Sequence, residues 1–198
     1  MSERVFLNIV VEDILSEVLL RKIIDEWPGN LEVNRCFRKG GSGYIRKNLR
    51  GFNHGAAVNP FVVLVDLDKT ECPPSLIKKW ITFEVNEGFI FRVAVREIES
   101  WIMADKVSFA DYISVSADKM PHDVETIEDP KEFLLNLLKV SKKKALKDDM
   151  LPRKGSTSKI GPLYNDLLVD FIRNHWELKR AMKNSTSLEK LVDSLKQL

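Results

Sequence analysis

The chain has 198 residues, 44% of them hydrophobic and 30% charged, with a net charge of +2. That composition suits a globular protein with one substantial core and excludes a disordered chain; the near-neutral balance does not by itself announce nucleic acid. Two cysteines make neither a disulfide framework nor a zinc spacing, no apolar run approaches membrane-spanning length, and the N-terminus has no signal-peptide pattern. A cytoplasmic protein without a membrane partner is the expectation.

Residues 5–11 (VFLNIVV) read as a buried strand that runs directly into Glu12 and Asp13. Apolar residues at helical spacing follow, from Ile14 to Ile23, and Pro28-Gly29 closes that segment. Leu31–Phe37 is a shorter strand candidate, and Lys39-Gly40-Gly41-Ser42-Gly43 is a turn into a helix over residues 44–50. Residues 61–65 make the third strand, residues 75–80 a helix after Cys72-Pro73-Pro74, and residues 89–95 (FIFRVAV) the fourth strand. Strands alternating with helices in this way predict a layer of about four mainly parallel strands flanked by helices.

Beyond Glu97 the pattern becomes helical throughout. Ile98, Trp101, Ile102 and Ala104 sit at helical spacing, and Asp129-Pro130 opens a helix by an aspartate cap with proline first. Further helices are expected at residues 163–173, 176–182 and 188–198. The predicted organisation is an α/β core over residues 1–105 and a helical extension, packed on it, over residues 106–198.

The chemistry concentrates at strand ends. Residues 61–68 (FVVLVDLD) carry Asp66 and Asp68 beyond a buried strand, and in open α/β sheets ligands bind just outside the carboxyl ends of the strands. Two acids there repel unless they share a cation or a proton, and Mg2+ (or Mn2+) prefers such oxygens while keeping waters for a phosphate. If the first and third strands are neighbours, about 4.8 Å apart, Glu12 joins the pair as a metal ligand or a general acid/base. Glu99, with Glu97 behind it, follows the fourth strand; it reads either as a further carboxylate of that site or as a helix N-terminal acid favoured by the dipole. Glu17 reads as a surface glutamate.

Between Val33 and Val65 there is no acidic residue, while Arg35, Arg38, Lys39, Arg46, Lys47 and Arg50 fall in that span. Arg38, Lys39, Arg46 and Lys47 are the candidates for holding a phosphate backbone, helped by glycine N–H groups. Lys142, Lys143, Lys144, Lys147, Arg153, Lys154 and Lys159 form a second basic region. No Walker loop and no GxSxG elbow is present, and the four tryptophans lie beside apolar stripes and read as core.

The glutamate after the first strand and the Asp-x-Asp after the third resemble the Toprim domain of topoisomerases, primases and overcoming-lysogenization-defect nucleases, which gathers them around magnesium. Glu12, Asp66 and Asp68 match; the glycine that usually follows the glutamate is Asp13 here. The stretches VVEDILSE, GGSGYIRKNLR, FVVLVDLDKTECPP, FRVAVREIESWIMAD and IGPLYNDLL are similar to a group of bacterial Toprim-like proteins found beside ATPases in anti-phage defence loci. The resemblance implies Mg-dependent, nuclease-type phosphodiester chemistry on DNA or RNA. The alternative is a non-catalytic Toprim-like module that binds a partner ATPase or nucleic acid. DLDKT also matches haloacid dehalogenase-like phosphatases, with Asp66 as nucleophile, and LNIVVED with VDLDKT resembles response-regulator receivers, with Asp66 as phosphoacceptor.

Overall fold

The runs rich in β-branched residues form strands because both their faces find apolar partners. In the computed structural model, which describes residues 4–27 and 29–198, β1 spans Val5–Val10, β2 Leu31–Phe37, β3 Phe61–Asp66 and β4 Phe89–Ala94. They make one four-stranded sheet in the order β2-β1-β3-β4, and every neighbouring pair is parallel. β3 and β4 stay in unbroken register from Phe61 opposite Phe89 to Asp66 opposite Ala94. The pairing of β1 with β2 shifts between Leu7 and Asn8, passing over Asn34. The result is the all-parallel α/β layer expected from the sequence, compatible with a Toprim-like core.

Three helices connect the strands: α1 (Ile14–Glu26), α2 (Gly41–Gly55) and α3 (Pro73–Trp80). The Ser16 N–H donates to the Asp13 carboxylate at 2.8 Å, which caps α1 and gives a local reason for an acid at that position. Pro28 lies outside the described residues; α1 ends at Glu26, with the Trp27 N–H bonded to the Ile23 carbonyl at 3.0 Å. α2 runs five residues past the predicted end, through two glycines. Tertiary burial overrides their poor propensity, since Phe52 and Asn53 are buried and the Asn53 side chain bonds the Glu84 carbonyl and the Asn86 N–H at 2.9 and 2.8 Å.

Side chains alternate across the sheet. Phe61, Val63 and Val65 of β3 and Phe89, Phe91 and Val93 of β4 pack with Ile45, Leu49 and Phe52 of α2 and Leu76 of α3. Val62 and Leu64 point to the opposite face and are equally buried. Burial on both faces is what a parallel sheet demands.

The helical part contains α4 (Ile98–Ala104), α5 (Lys106–Ile113), α6 (Pro130–Lys139), α7 (Lys144–Met150), α8 (Tyr164–Asn174) and α9 (Leu178–Ala181). As predicted, Asp129 caps α6, accepting from the Glu132 N–H at 2.8 Å with Pro130 in first place. The final helix, α10, is Thr186–Leu195. The chain divides into two compact units: the sheet with α1–α3 and the stretch from Ser187 on, and the helices of residues 96–186. The division thus falls at residue 96, where the sequence suggests 106, and α10 belongs with the sheet. In that first unit the Arg92 guanidinium of β4 donates from Nε to the Ser194 hydroxyl (2.7 Å) and the Lys190 carbonyl (3.2 Å), and Lys196 lies over the Trp27 ring. In the second unit Phe109 and Phe171 meet edge to face at 5.3 Å, and the Trp176 indole donates to the Trp101 carbonyl at 3.0 Å. Among the described residues no helix is long and apolar enough to cross a membrane.

Candidate active site at the strand switch point

The connection after β1 leads to β2 on one side, and the connection after β2 crosses back over β1 to β3 on the other. That makes the β1/β3 boundary the topological switch point, where a crevice opens beyond the strand ends. Glu12 follows β1 there and Asp66 ends β3. The Asp66 backbone N–H donates to Glu12 Oε1 at 3.1 Å, tying the two strand ends together.

Glu12 is half-buried, and its carboxyl is held above the ordinary value near 4.5. Burial is the main cause, followed by the opposing hydrogen bond from the Asp66 N–H. The negative charges of Asp68 and Asp13 push it further up, and a backbone hydrogen bond from Ser42 pulls it down. Glu12 therefore senses the loops after β1, β2 and β3 at once.

Asp66 and Asp68 reach this place by different routes. Asp66 is the last residue of its strand, half-buried. Asp68 has left the strand: its φ is +50°, in the left-handed region that aspartate tolerates better than most residues. It sits in a turn closed by the Thr70 N–H on the Leu67 carbonyl (3.0 Å), while Leu67 is buried and bonds the Ala94 carbonyl at 2.9 Å. Strand alternation thus stops at Asp66, and the turn rather than the pleat brings Asp68 within electrostatic reach of Glu12.

The donor set is wholly carboxylate and backbone, the chemistry of a hard divalent cation. A carboxylate raised chiefly by burial and further by neighbouring negative charges also fits a group that a cation would relieve. Among the described residues, no three His, Cys, Asp or Glu side chains stand together closely enough to hold a metal ion, so Glu12, Asp66 and Asp68 are neighbours at the switch point and not a gathered ligand set.

Glu97 and Glu99 lie in the second unit and have partners there. Glu99 is 1% exposed, accepts from the Tyr164 hydroxyl at 3.1 Å and pairs with the Lys131 ammonium at 3.2 Å. Burial raises its carboxyl, with Lys131 opposing. Glu97 accepts the Lys131 backbone N–H at 3.1 Å, at the start of α6.

The basic candidates separate as well. Arg38 donates to Glu17 at 2.8 Å, and Arg21 binds the same carboxylate at 3.1 Å. Glu17 is thus a clamped group, its carboxyl lowered because the two arginines outweigh its partial burial. Beside it the Cys36 thiol is pushed up to about 11 by burial and by Glu17. Only the Glu17–Arg21 half of this cluster has a sequence signal, the four-residue helical spacing. Lys39, Arg46 and Lys47 are exposed. Arg46 and Lys47 open, with Arg50 and Lys79, onto a cleft of about 290 Å3 between α2 and α3.

Comparison with family models, with characterised proteins and with solved structures finds no match to this chain. The geometry of the site disfavours two of the alternatives on simple grounds. Haloacid dehalogenase-like phosphatases need a downstream acidic pair at a strand end, whereas Asp148 and Asp149, which follow the lysines at residues 142–147, lie on α7. β4 runs into Arg96-Glu97 instead of the Ser/Thr a receiver places there.

Proposed function

We propose that the chain carries out Mg-dependent, nuclease-type phosphodiester chemistry on DNA or RNA, in a defence or mobile-element system. The observation that carries this reading is the convergence at the switch point: Glu12 bonded to the Asp66 N–H, with Asp68 close enough to raise its carboxyl. Glu12, Asp66 and Asp68 would hold the metal, which when bound supplies phosphate polarisation and an activated water. Where Glu12 is not a metal ligand, its raised proton affinity suits it to hold or release a proton at its carboxylate. Lys39, Arg46 and Lys47, exposed on the loop and helix that follow β2, would hold the phosphates; Arg38 would do so only by leaving Glu17. Glu99 is not required, because its carboxylate is already bound by Tyr164 and Lys131.

A non-catalytic module, docking a partner ATPase or nucleic acid, is the second reading. It is favoured by one observation, that the exposed Arg46, Lys47, Arg50 and Lys79 line a cleft that can hold a polyanion without any metal chemistry. Thermal melting separates the two. Mn2+ or Mg2+ should raise the melting temperature of the wild type by mass action on the folded state, and Asp66→Asn/Asp68→Asn should abolish that rise together with hydrolysis of labelled DNA or RNA. A flat response in both proteins, with no hydrolysis, favours the module.

A further inference from the structure

The cleft between α2 and α3 is lined by four cations and by no carboxylate. Arg46, Lys47 and Arg50 come from one turn of α2, and Lys79 faces them from α3. All four are exposed, and among the described residues none of them forms an ion pair. Like charges gathered into one concavity repel, and an anion bound among them relieves that cost. Two aromatic side chains complete the walls. Arg50 lies over the Phe83 ring at 5.4 Å, which fixes its guanidinium toward the cleft. Trp80 is half-buried, with its ring on Phe91 at 6.0 Å and an open flank on the cleft.

We infer that this cleft is a binding track for one strand of nucleic acid, leading away from the switch-point carboxylates along α2. The inference deepens the proposed function and rests on it for the identity of the polyanion. Cations tracking a backbone beside aromatic faces are the arrangement by which single strands are held without sequence preference. A cleft of about 290 Å3 between two helices suits one strand better than a duplex. The direction follows from the helix: Ser42, which bonds Glu12 through its backbone, lies two residues into α2, and Arg50 lies eight residues further on. At 1.5 Å per residue that is about 12 Å, roughly three to four nucleotides at 3.4 Å each. Arg50 and Lys79 are therefore positioning residues that set where the strand lies, remote from the reacting phosphate.

The test is a salt titration of binding by the full chain. The Asp66→Asn/Asp68→Asn protein, in EDTA, silences hydrolysis, and a fluorescein-labelled 12-nucleotide single strand is the probe, read by anisotropy. Adding Arg50→Ala and Lys79→Ala should weaken binding at low salt at least tenfold. It should also flatten the slope of log Kobs against log salt by about 1.4, at about 0.7 for each lost phosphate contact on a single strand. Both side chains are exposed, so the melting temperature should not move. A charge-matched control, Lys142→Ala/Lys144→Ala, should leave the slope as it was. An unchanged slope in the cleft variant, an equal loss in the control, no binding by the parent at low salt, or tighter binding of the same sequence as a duplex would each overturn the inference. The two readings fail separately. A flattened slope with no Mn-dependent hydrolysis by the wild type leaves the track standing and removes the nuclease; hydrolysis with an unchanged slope does the reverse.

Discussion

Glu99 is a carboxylate in the wrong solvent, and its energetics can be read from pH. Burial holds its carboxyl above the ordinary 4.5 although Lys131 pulls the other way. A group whose folded value is raised stabilises the fold fully below its unfolded value, and that contribution is lost as pH rises through the folded value. Glu99→Gln keeps an acceptor for the Tyr164 hydroxyl and removes the titration. It should therefore melt higher than the wild type at pH 8, with the gap closing toward pH 4; a gap independent of pH would mean that the carboxylate is not the cause. Asp105 shows the opposite solution. It is fully buried yet bound by Arg180 at 2.8 and 3.0 Å and by the Glu177 N–H at 2.9 Å, so its removal should cost about 3 kcal/mol in denaturant titrations.

At the scale of elements, the turn between β2 and α2 depends on backbone that only glycine adopts cheaply. Gly40 and Gly41 have φ of +66° and +60°, and a Cβ on Gly41 meets nothing within 4 Å. Gly41→Ala should thus cost only the left-handed penalty, about 1–2 kcal/mol, measurable by urea unfolding. A greater cost would mean that the turn is tied down by something besides its dihedral angles. Strands and their direction were legible here because a run such as FVVLV has few alternatives once helices flank it. Asp66 was legible for the same reason, as the strand end fixes where it stands, whereas Asp68 stands where a left-handed turn puts it. What was not legible depends on residues far apart in the chain. Arg38 is taken by Glu17, 21 residues earlier, and Glu99 by Tyr164, 65 residues later; no local spacing encodes either. α2 outran its prediction because glycine propensity is a local quantity and the burial of Phe52 is not. Arg50 was visible as a charge, but its place opposite Lys79 needs the crossing of two helices.

For the molecule as a whole, the closing helix is part of the sheet's unit rather than a tail. Leu188, Leu191, Val192 and Leu195 of α10 are all at most 1% exposed. Burying each such side chain contributes about 1.5–3 kcal/mol, so four of them rival the 5–15 kcal/mol that typically separates folded from unfolded domains. Ending the chain at residue 186 should therefore abolish cooperative melting or drive the protein into the insoluble fraction; a soluble, cooperatively melting truncate would show that α10 is dispensable.

The same connectivity sets an order of events during synthesis. The four strands are all made by Ala94, but the helix that completes their unit begins at Thr186, and the intervening unit, residues 96–186, is threaded between them. At roughly 5–20 residues per second, a ribosome needs about 5–20 s to cross that interval. Through that time the sheet's unit lacks the buried Leu188, Leu191, Val192 and Leu195 of α10, which reach it only after the whole helical unit has been made.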